Sequence, residues 1–197
     1  MKPVKIGLIG LGTVGTGVVK IIEGHQEDLQ HQVGCPIQIE RILVKHIDKI
    51  RTVQVDPARL TTDPRDVIAN PEIDVVVEVM GGTGEAREYI MAALERGKHV
   101  VTANKDLMAQ FGQSILAKAA EKGCDVFYEA SVAGGVPILR TLVEGFSSDR
   151  IYKIMGIVNG TTNYILTKMS QEGASYEEVL KEAQELGYAE ADPTSDV

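Results

Sequence analysis

The residues whose types and spacing could do chemistry begin at position 10. Gly10-Leu11-Gly12-Thr13-Val14-Gly15 is a G-x-G-x-x-G. It follows a short apolar run of strand type, from Val4, and opens a helical stretch over Thr16 to Ile22. In that context Gly10 permits the tight turn, Gly12 lets backbone approach a pyrophosphate, and Gly15 lets the helix pack close to the strand. The helix N-terminus then offers unpaired N–H groups and a positive dipole end to phosphates. The chemistry implied is capture of a dinucleotide, with a glycine-rich turn that holds no ligand as the alternative.

Two lysines extend the pattern. The second strand is expected over Ile37 to Val44, and its end should read the adenine ribose. An acidic residue there would bind a 2′-hydroxyl; this chain has Lys45-His46, with Asp48 a little later. A cation suits a 2′-phosphate and leans the reading toward NADP over NAD, with a solvated strand end as the alternative. Lys105 follows the strand His99 to Ala103, on the edge that carries the glycine turn. Doubly wound sheets bind ligands at that edge. A lysine placed there can reach a nicotinamide or a substrate carbonyl; a solvated helix-start lysine is the alternative, and because a cation is unwelcome at a helix start the mismatch favours the functional reading.

The elements that must position these groups alternate. Ile73 to Met80 is nearly continuous in valine, as suits a central parallel strand buried on both faces. Gly81-Gly82-Thr83-Gly84 ends it, and a helix over Glu85 to Glu95 follows, stopped by Gly97. Leu107 to Lys122 reads as the next helix, and Cys124 to Ala130 as the strand that closes the sheet. Glu23 to Gly34 reads as polar and irregular. A short helix is expected after Asp63-Pro64. The pattern is an α/β, Rossmann-type doubly wound parallel sheet over residues 1–130.

The character then changes. Ser131-Val132-Ala133-Gly134-Gly135-Val136-Pro137 is a loop of small residues. If extended, its carbonyls at Val132, Gly134 and Val136 would point one way and could hold a hard cation; a glycine hinge is the alternative. Ile138 to Phe146 reads as a helix and Arg150 to Val158 as a strand. Capped helices follow over Tyr164 to Gln171 and from Ser175, where Ser175 and Glu178 stand in capping-box spacing. Residues 131–197 read as the beginning of a second, α+β domain, not closed by Val197.

Composition narrows the partners. The chain has 197 residues, 44% hydrophobic and 24% charged, with net charge −8. That is a globular composition, and the acidity argues against nonspecific nucleic-acid binding. No apolar run approaches the roughly 20 residues that span a bilayer, and Met1-Lys2-Pro3 runs straight into a strand without a signal peptide. Cys35 and Cys124 read as reduced packing residues of a cytoplasmic protein, with a disulfide pair as the alternative, and the four histidines lack metal spacing.

Several stretches agree on one family. The glycine turn, Thr102-Ala103-Asn104-Lys105, the segment Glu129 to Pro137, Asn159-Gly160-Thr161-Thr162-Asn163-Tyr164-Ile165-Leu166, and Gly187-Tyr188-Ala189-Glu190-Ala191-Asp192-Pro193 occur in order over nearly the whole chain. The chain resembles the N-terminal half of homoserine dehydrogenase, which implies that residues 1–130 are its dinucleotide-binding domain and residues 131–197 the beginning of its substrate-binding and dimerisation domain. The resemblance implies NAD(P)-dependent interconversion of L-aspartate 4-semialdehyde and L-homoserine, in the threonine and methionine branch of amino-acid biosynthesis. It implies that Gly10, Leu11, Gly12, Thr13, Val14 and Gly15 hold the cofactor, with Lys45, Lys105 and Gly187 beside it. Lys105 would lie between nicotinamide and substrate as the catalytic group. Glu190 would bind the substrate, with Thr161 and Tyr188 nearby. The glycine loop would be a sodium site formed by Glu129, Val132, Gly134 and Val136, mostly through main-chain oxygens. The family continues into a segment with an aspartate and a proton-transferring lysine, so this chain is expected to be a shortened, inactive form of an enzyme whose full-length form is a homodimer. Another nicotinamide-dependent dehydrogenase and a non-catalytic nucleotide-binding module are the alternatives.

Overall fold

Strand alternation sorts the first apolar run onto two faces of a sheet. In the computed structural model, which describes residues 2–156 and 159–189, the first strand β1 is Val4–Ile9. Ile6 and Leu8 pack with Val19 and Ile22 of α1 (Thr13–Gly24) on one face. Ile9 packs on the other with Ile90, Leu94, Leu107 and Ile115. Gly7 on that second face has no room for a side chain: a Cβ would meet Val67 Cγ1 at 2.5 Å.

Along the chain, α2 (Gln26–Val33) precedes β2 (Ile37–Leu43), β3 (Leu60–Thr61) and α3 (Arg65–Ile68). Next come β4 (Val75–Glu78), α4 (Gly84–Glu95), β5 (His99–Thr102), α5 (Lys105–Lys122) and β6 (Val126–Phe127). The described strands form one parallel six-stranded sheet in the order β3-β2-β1-β4-β5-β6. This is the doubly wound order whose direction reverses between β1 and β4, and the crevice at that point is the ligand site of such sheets. Val76 and Val100 face α4 and α5, while Val77 faces the α1 side. The valine-rich strands are therefore covered on both faces.

The structure differs from the sequence-based expectation in several elements. Residues 26–33 are helical instead of irregular; none of them is buried, so no apolar stripe announced the helix. The expected last strand shrinks to Val126–Phe127, because only that pair finds a ladder partner, Val100–Val101. A 3₁₀ turn over Glu129–Ser131 follows it. The helix begun at Ile138 (α6, Ile138–Arg140) widens into a π turn over Thr141–Gly145.

By its internal contacts the chain divides into two compact units, Met1–Gly145 and Phe146–Val197. In the second, α7 (Gly160–Glu172) packs on α8 (Tyr176–Glu185) through Ile165, Val179, Ala183 and Ala189. Asn159 caps α7 by accepting from Thr162 N at 2.8 Å, and the Ser175–Glu178 capping box closes in both directions. The strand expected at 150–158 does not form in its described part: residues 151–156 carry no ladder among the described residues, and Tyr152, Ile154 and Met155 are exposed. Without a partner for its N–H and C=O groups a strand gains nothing over solvated chain.

Candidate functional site

The glycine turn sits at the carboxyl end of β1, at the reversal point of the sheet. Gly10 has φ +102, and a Cβ there would meet Val79 O at 2.8 Å and the Met80 backbone at 2.9 Å. Gly15 lies against Gly10 itself; its Cβ would stand 2.2 Å from Gly10 O. Those two glycines are required by close packing. Gly12 differs: a Cβ there would meet nothing within 4 Å. It is the N-cap of α1, without a side-chain capping bond and without an acidic residue in the first turn. The N–H groups of this turn thus face an open cleft with the positive end of the helix dipole behind them. Thr13 and Val14 begin the helix and are exposed. A pyrophosphate fits this cradle chemically and sterically.

The cleft, of about 400 Å³, runs from Gly10 and Gly12 to Lys45, His46, Lys49 and Arg51. Lys45 stands just beyond β2, exposed, as the sequence placed it. Lys49 and Arg51 were not anticipated, although the spacing Lys45-His46-x-x-Lys49-x-Arg51 is visible in the sequence. The Arg51 guanidinium gathers the loop by donating to the carbonyls of His46 (2.5 Å), Lys49 (2.8 Å) and Ile47 (2.9 Å). Its Nε is buried and has no partner among the described residues. Among the described lining residues the one acid, Glu85, comes from α4 at another side of the cleft. The end of β2 is accordingly a cationic arc suited to a phosphate.

Lys105 is the first residue of α5 and is exposed. The preceding Asn104 is buried; its Oδ1 accepts from Leu107 N at 3.1 Å as N-cap, and its Nδ2 donates to Gly82 O at 2.6 Å. Asp106 in the first turn offsets the lysine against the helix dipole. A second group missed from sequence is Glu78, the lone carboxylate within Val75 to Val79. It is fully buried, and its two oxygens accept from Met80 N at 2.9 Å and from Thr102 Oγ1 at 2.7 Å.

The loop after β6 corrects one premise. Its backbone is not extended: Ala133 has φ +47 and Gly135 φ +85, and Val136 N donates to Ala133 O at 2.8 Å in a turn. The carbonyls of Val132, Gly134 and Val136 are therefore not aligned by strand alternation, because the left-handed residues break it. Both Glu129 carboxylate oxygens accept backbone N–H bonds, from Leu139 at 2.9 Å and Arg140 at 2.8 Å. Residues 132–137 are exposed. Their neutral oxygens are a donor set that a hard monovalent cation accepts. Among the described residues no cluster of three or more His, Cys, Asp or Glu could hold a metal.

Within the second unit Thr161 and Tyr188 are brought together. The buried Thr161 hydroxyl donates to Tyr188 O at 2.6 Å, so toward any ligand that hydroxyl can only accept. Tyr188 stacks edge-on against Tyr164, ring centroids 5.1 Å apart. Gly187, φ +77, turns the chain after α8, and Tyr188 N returns to Ala183 O at 2.8 Å. Glu190 lies outside the described residues. Cys35 and Cys124 are both free thiols, and no described helix is long and apolar enough to cross a membrane.

A parallel sheet in this order, with an open glycine cradle at its reversal point, defines a Rossmann-type α/β protein of the dinucleotide-binding class. Comparison with known proteins carries the assignment further. The family model for the homoserine dehydrogenase NAD-binding domain matches residues 10–129, and that for homoserine dehydrogenase matches residues 137–197. The chain belongs to the homoserine dehydrogenase family. It is 64% identical over 197 residues to homoserine dehydrogenase of Bacillus subtilis (strain 168), covering 100% of this chain and 46% of that protein. A crystal structure of a homoserine dehydrogenase from Thiobacillus denitrificans superposes with TM-score 0.92 at 49% identity, over 100% of this chain and 45% of that one. A hyperthermophilic archaeal homoserine dehydrogenase in complex with NADPH superposes with TM-score 0.83 at 27% identity, over 100% of this chain and 65% of that one. The chain thus spans under half the length of the curated relatives it matches.

Proposed function

We propose that the complete protein carrying this chain is a homoserine dehydrogenase, interconverting L-aspartate 4-semialdehyde and L-homoserine, and that this chain binds its nicotinamide cofactor with a preference for NADP over NAD. One observation carries the proposal: an open cradle at Gly12 leads, in one cleft, to the cationic arc of Lys45, Lys49 and Arg51. The bound nicotinamide supplies hydride acceptance and donation. The chain supplies the rest. The N–H groups after Gly12 hold the pyrophosphate, and Lys45 pairs a 2′-phosphate, while Arg51 shapes the loop and adds positive charge. Lys105 offers positive charge to the alkoxide that develops on the substrate carbonyl, the kind of preorganised donor whose loss costs on the order of 10²-fold in rate. By family resemblance Glu190, Thr161 and Tyr188 bind the substrate and Gly187 lies beside the cofactor. The same resemblance supports a sodium ion at Glu129, Val132, Gly134 and Val136 and a homodimeric, cytoplasmic enzyme serving threonine and methionine synthesis. With the Glu129 carboxylate already capping α6, the cation is left to main-chain oxygens.

The test is calorimetric titration of this chain with NADP and with NAD, followed by homoserine turnover in the complete protein. NADP should bind at least tenfold more tightly. Lys45→Ala should remove about tenfold of that preference, the scale of one charge-assisted hydrogen bond, and leave NAD binding unchanged. Equal affinities in wild type and variant would refute the NADP assignment. Nucleotide binding with no turnover by the complete protein would favour a non-catalytic module.

A further inference from the structure

A carboxylate sealed inside a sheet needs a reason. Glu78 has no exposed surface, and among the described residues no cation pairs with it. Burying an acceptor of this strength among valines is unfavourable unless donors meet it. Two do: Met80 N–H on one oxygen and the Thr102 hydroxyl on the other. Both lead to the ligand edge of the sheet. The Met80 backbone is what Gly10 packs against, 2.9 Å from where its Cβ would stand. Thr102, also fully buried, accepts from Asn104 N at 3.1 Å. Asn104 in turn caps α5 and grips Gly82 O. Lys105 is the next residue. The chain of bonds therefore joins the ends of β4 and β5, and the Gly10–Met80 contact brings in the end of β1 across the reversal point.

The direction of these bonds is set by Glu78. A carboxylate only accepts, so the Thr102 hydroxyl must donate to it, and a lone pair stays available to Asn104 N–H. A Gln at position 78 would keep its carbonyl toward Met80 N–H and turn its NH₂ toward Thr102. Thr102 would then face two donors and its own hydrogen would lose its acceptor. Volume is almost unchanged, but the polarity of the connection reverses.

We propose that Glu78 is a positioning residue that, by fixing the hydrogen-bond direction of Thr102, seats the Asn104–Lys105 helix start against the glycine turn. The inference rests on the enzymatic reading above for the role of Lys105, and acts through that residue without touching substrate.

The experiment is a double-mutant cycle in the complete enzyme, paired with NMR of ¹³C-methylated lysines in this chain. Glu78→Gln should lower kcat roughly 30- to 100-fold, the scale of a misplacement of about 1 Å, with KM for homoserine and nucleotide affinity within about threefold. In a Lys105→Ala background the same change should cost under about threefold, since the group it positions is gone. Thr102→Val should reproduce the loss and Thr102→Ser should rescue it, which keeps the proposal testable if Glu78→Gln folds poorly. The Lys105 methyl resonance should shift in Glu78→Gln while that of Lys118, far along α5, stays in place. Equal losses in both backgrounds would reduce Glu78 to a structural role and overturn the proposal. An unmoved Lys105 resonance would overturn it whatever the activity. A wild type inert toward homoserine with a shifted Lys105 resonance would sink the enzymatic reading and leave the positioning role standing.

Discussion

Gly12 and Gly15 belong to one motif but have opposite physical reasons, so alanine separates them. At Gly12 the backbone is extended, φ −85 and ψ −153, and a Cβ would meet nothing within 4 Å. Gly12→Ala gains about 0.4–1 kcal/mol from a stiffer unfolded chain and loses a comparable amount because Ala is a poorer N-cap than Gly. Stability should stay within about 1 kcal/mol of wild type. The new methyl group stands in the open cleft where backbone would meet a pyrophosphate, so NADP and NAD affinity should both fall tenfold or more, about 1.4 kcal/mol or above. At Gly15 a Cβ would stand 2.2 Å from the Gly10 carbonyl oxygen, which is backbone and cannot rotate away. Relief requires α1 to shift from β1, with Val19 and Ile22 leaving their packing. Overpacking of this kind costs about 1–3 kcal/mol or more, a fall of roughly 2–4 °C in Tm per kcal/mol for a chain of this size.

Thermal melts by circular dichroism and titration calorimetry on the same samples read both axes. Gly12→Ala should move binding and leave the melt in place, and Gly15→Ala should move the melt. If Gly12→Ala bound nucleotide within threefold of wild type, the cradle would lie elsewhere and the cleft assignment would fall. If Gly15→Ala melted with wild type, the close helix–strand approach would be refuted.

Two further outcomes follow from groups away from the cleft. Lys98 is buried, and its ammonium donates to Asn70 O and Ile73 O, each at 2.6 Å; Lys98→Ala should cost about 2 kcal/mol in denaturant unfolding, the scale of orphaned carbonyls. Burial holds the Lys98 pKa below its ordinary 10.5, so the folded state gives up that proton first and stability from this group rises as pH approaches 10.5; the alanine variant should lose that slope. In the second unit the Tyr164 hydroxyl, donating at 2.8 Å, and then Lys168 hold Glu182 below the ordinary glutamate value of 4.5. A depressed carboxylate stabilises the fold above 4.5 and ceases to as pH falls through its folded value. Hydrogen-exchange protection of α7 and α8 should therefore decline below pH 4.5 in wild type and much less in Glu182→Gln; identical acid profiles would exclude this triad as the cause.

What the sequence discloses of this fold divides by the range of the interactions. β1, β4 and β5 are legible because alternation and valine runs are local, and the glycine turn because its φ and close approaches demand one residue type at fixed spacing. The helix at 26–33 is not legible, since it fully buries no residue and only Leu29 packs against the core, too little for a stripe. The two-residue strand Leu60–Thr61 exists only because Ile42 and Leu43 offer an edge to pair with. At the site the same division holds. Lys45 and Lys105 follow from strand ends, whereas of the two donors to Glu78 the one that ties β4 to β5, Thr102, lies 24 residues away. Arg51 is near Lys45 in sequence, but its role depends on a loop that bends back far enough for one guanidinium to reach three carbonyls.

This division has a physical origin at the ends of the strands. In the middle of the sheet Val76, Val77 and Val100 are specified by apolar contact on two faces, which is tolerant of exchange among similar residues. At the carboxyl edge the ladder stops and each strand leaves with N–H and C=O groups that the sheet no longer pairs. Packing alone would let those ends vary by a fraction of an ångström, enough to loosen a site built on them. Here they are fixed by directional groups instead: the missing Cβ of Gly10 against Met80, the Glu78 carboxylate on Met80 and Thr102, and the Asn104 amide on Gly82 and Leu107. The polar residues that look misplaced in an apolar pattern are therefore the ones that give the edge a single geometry.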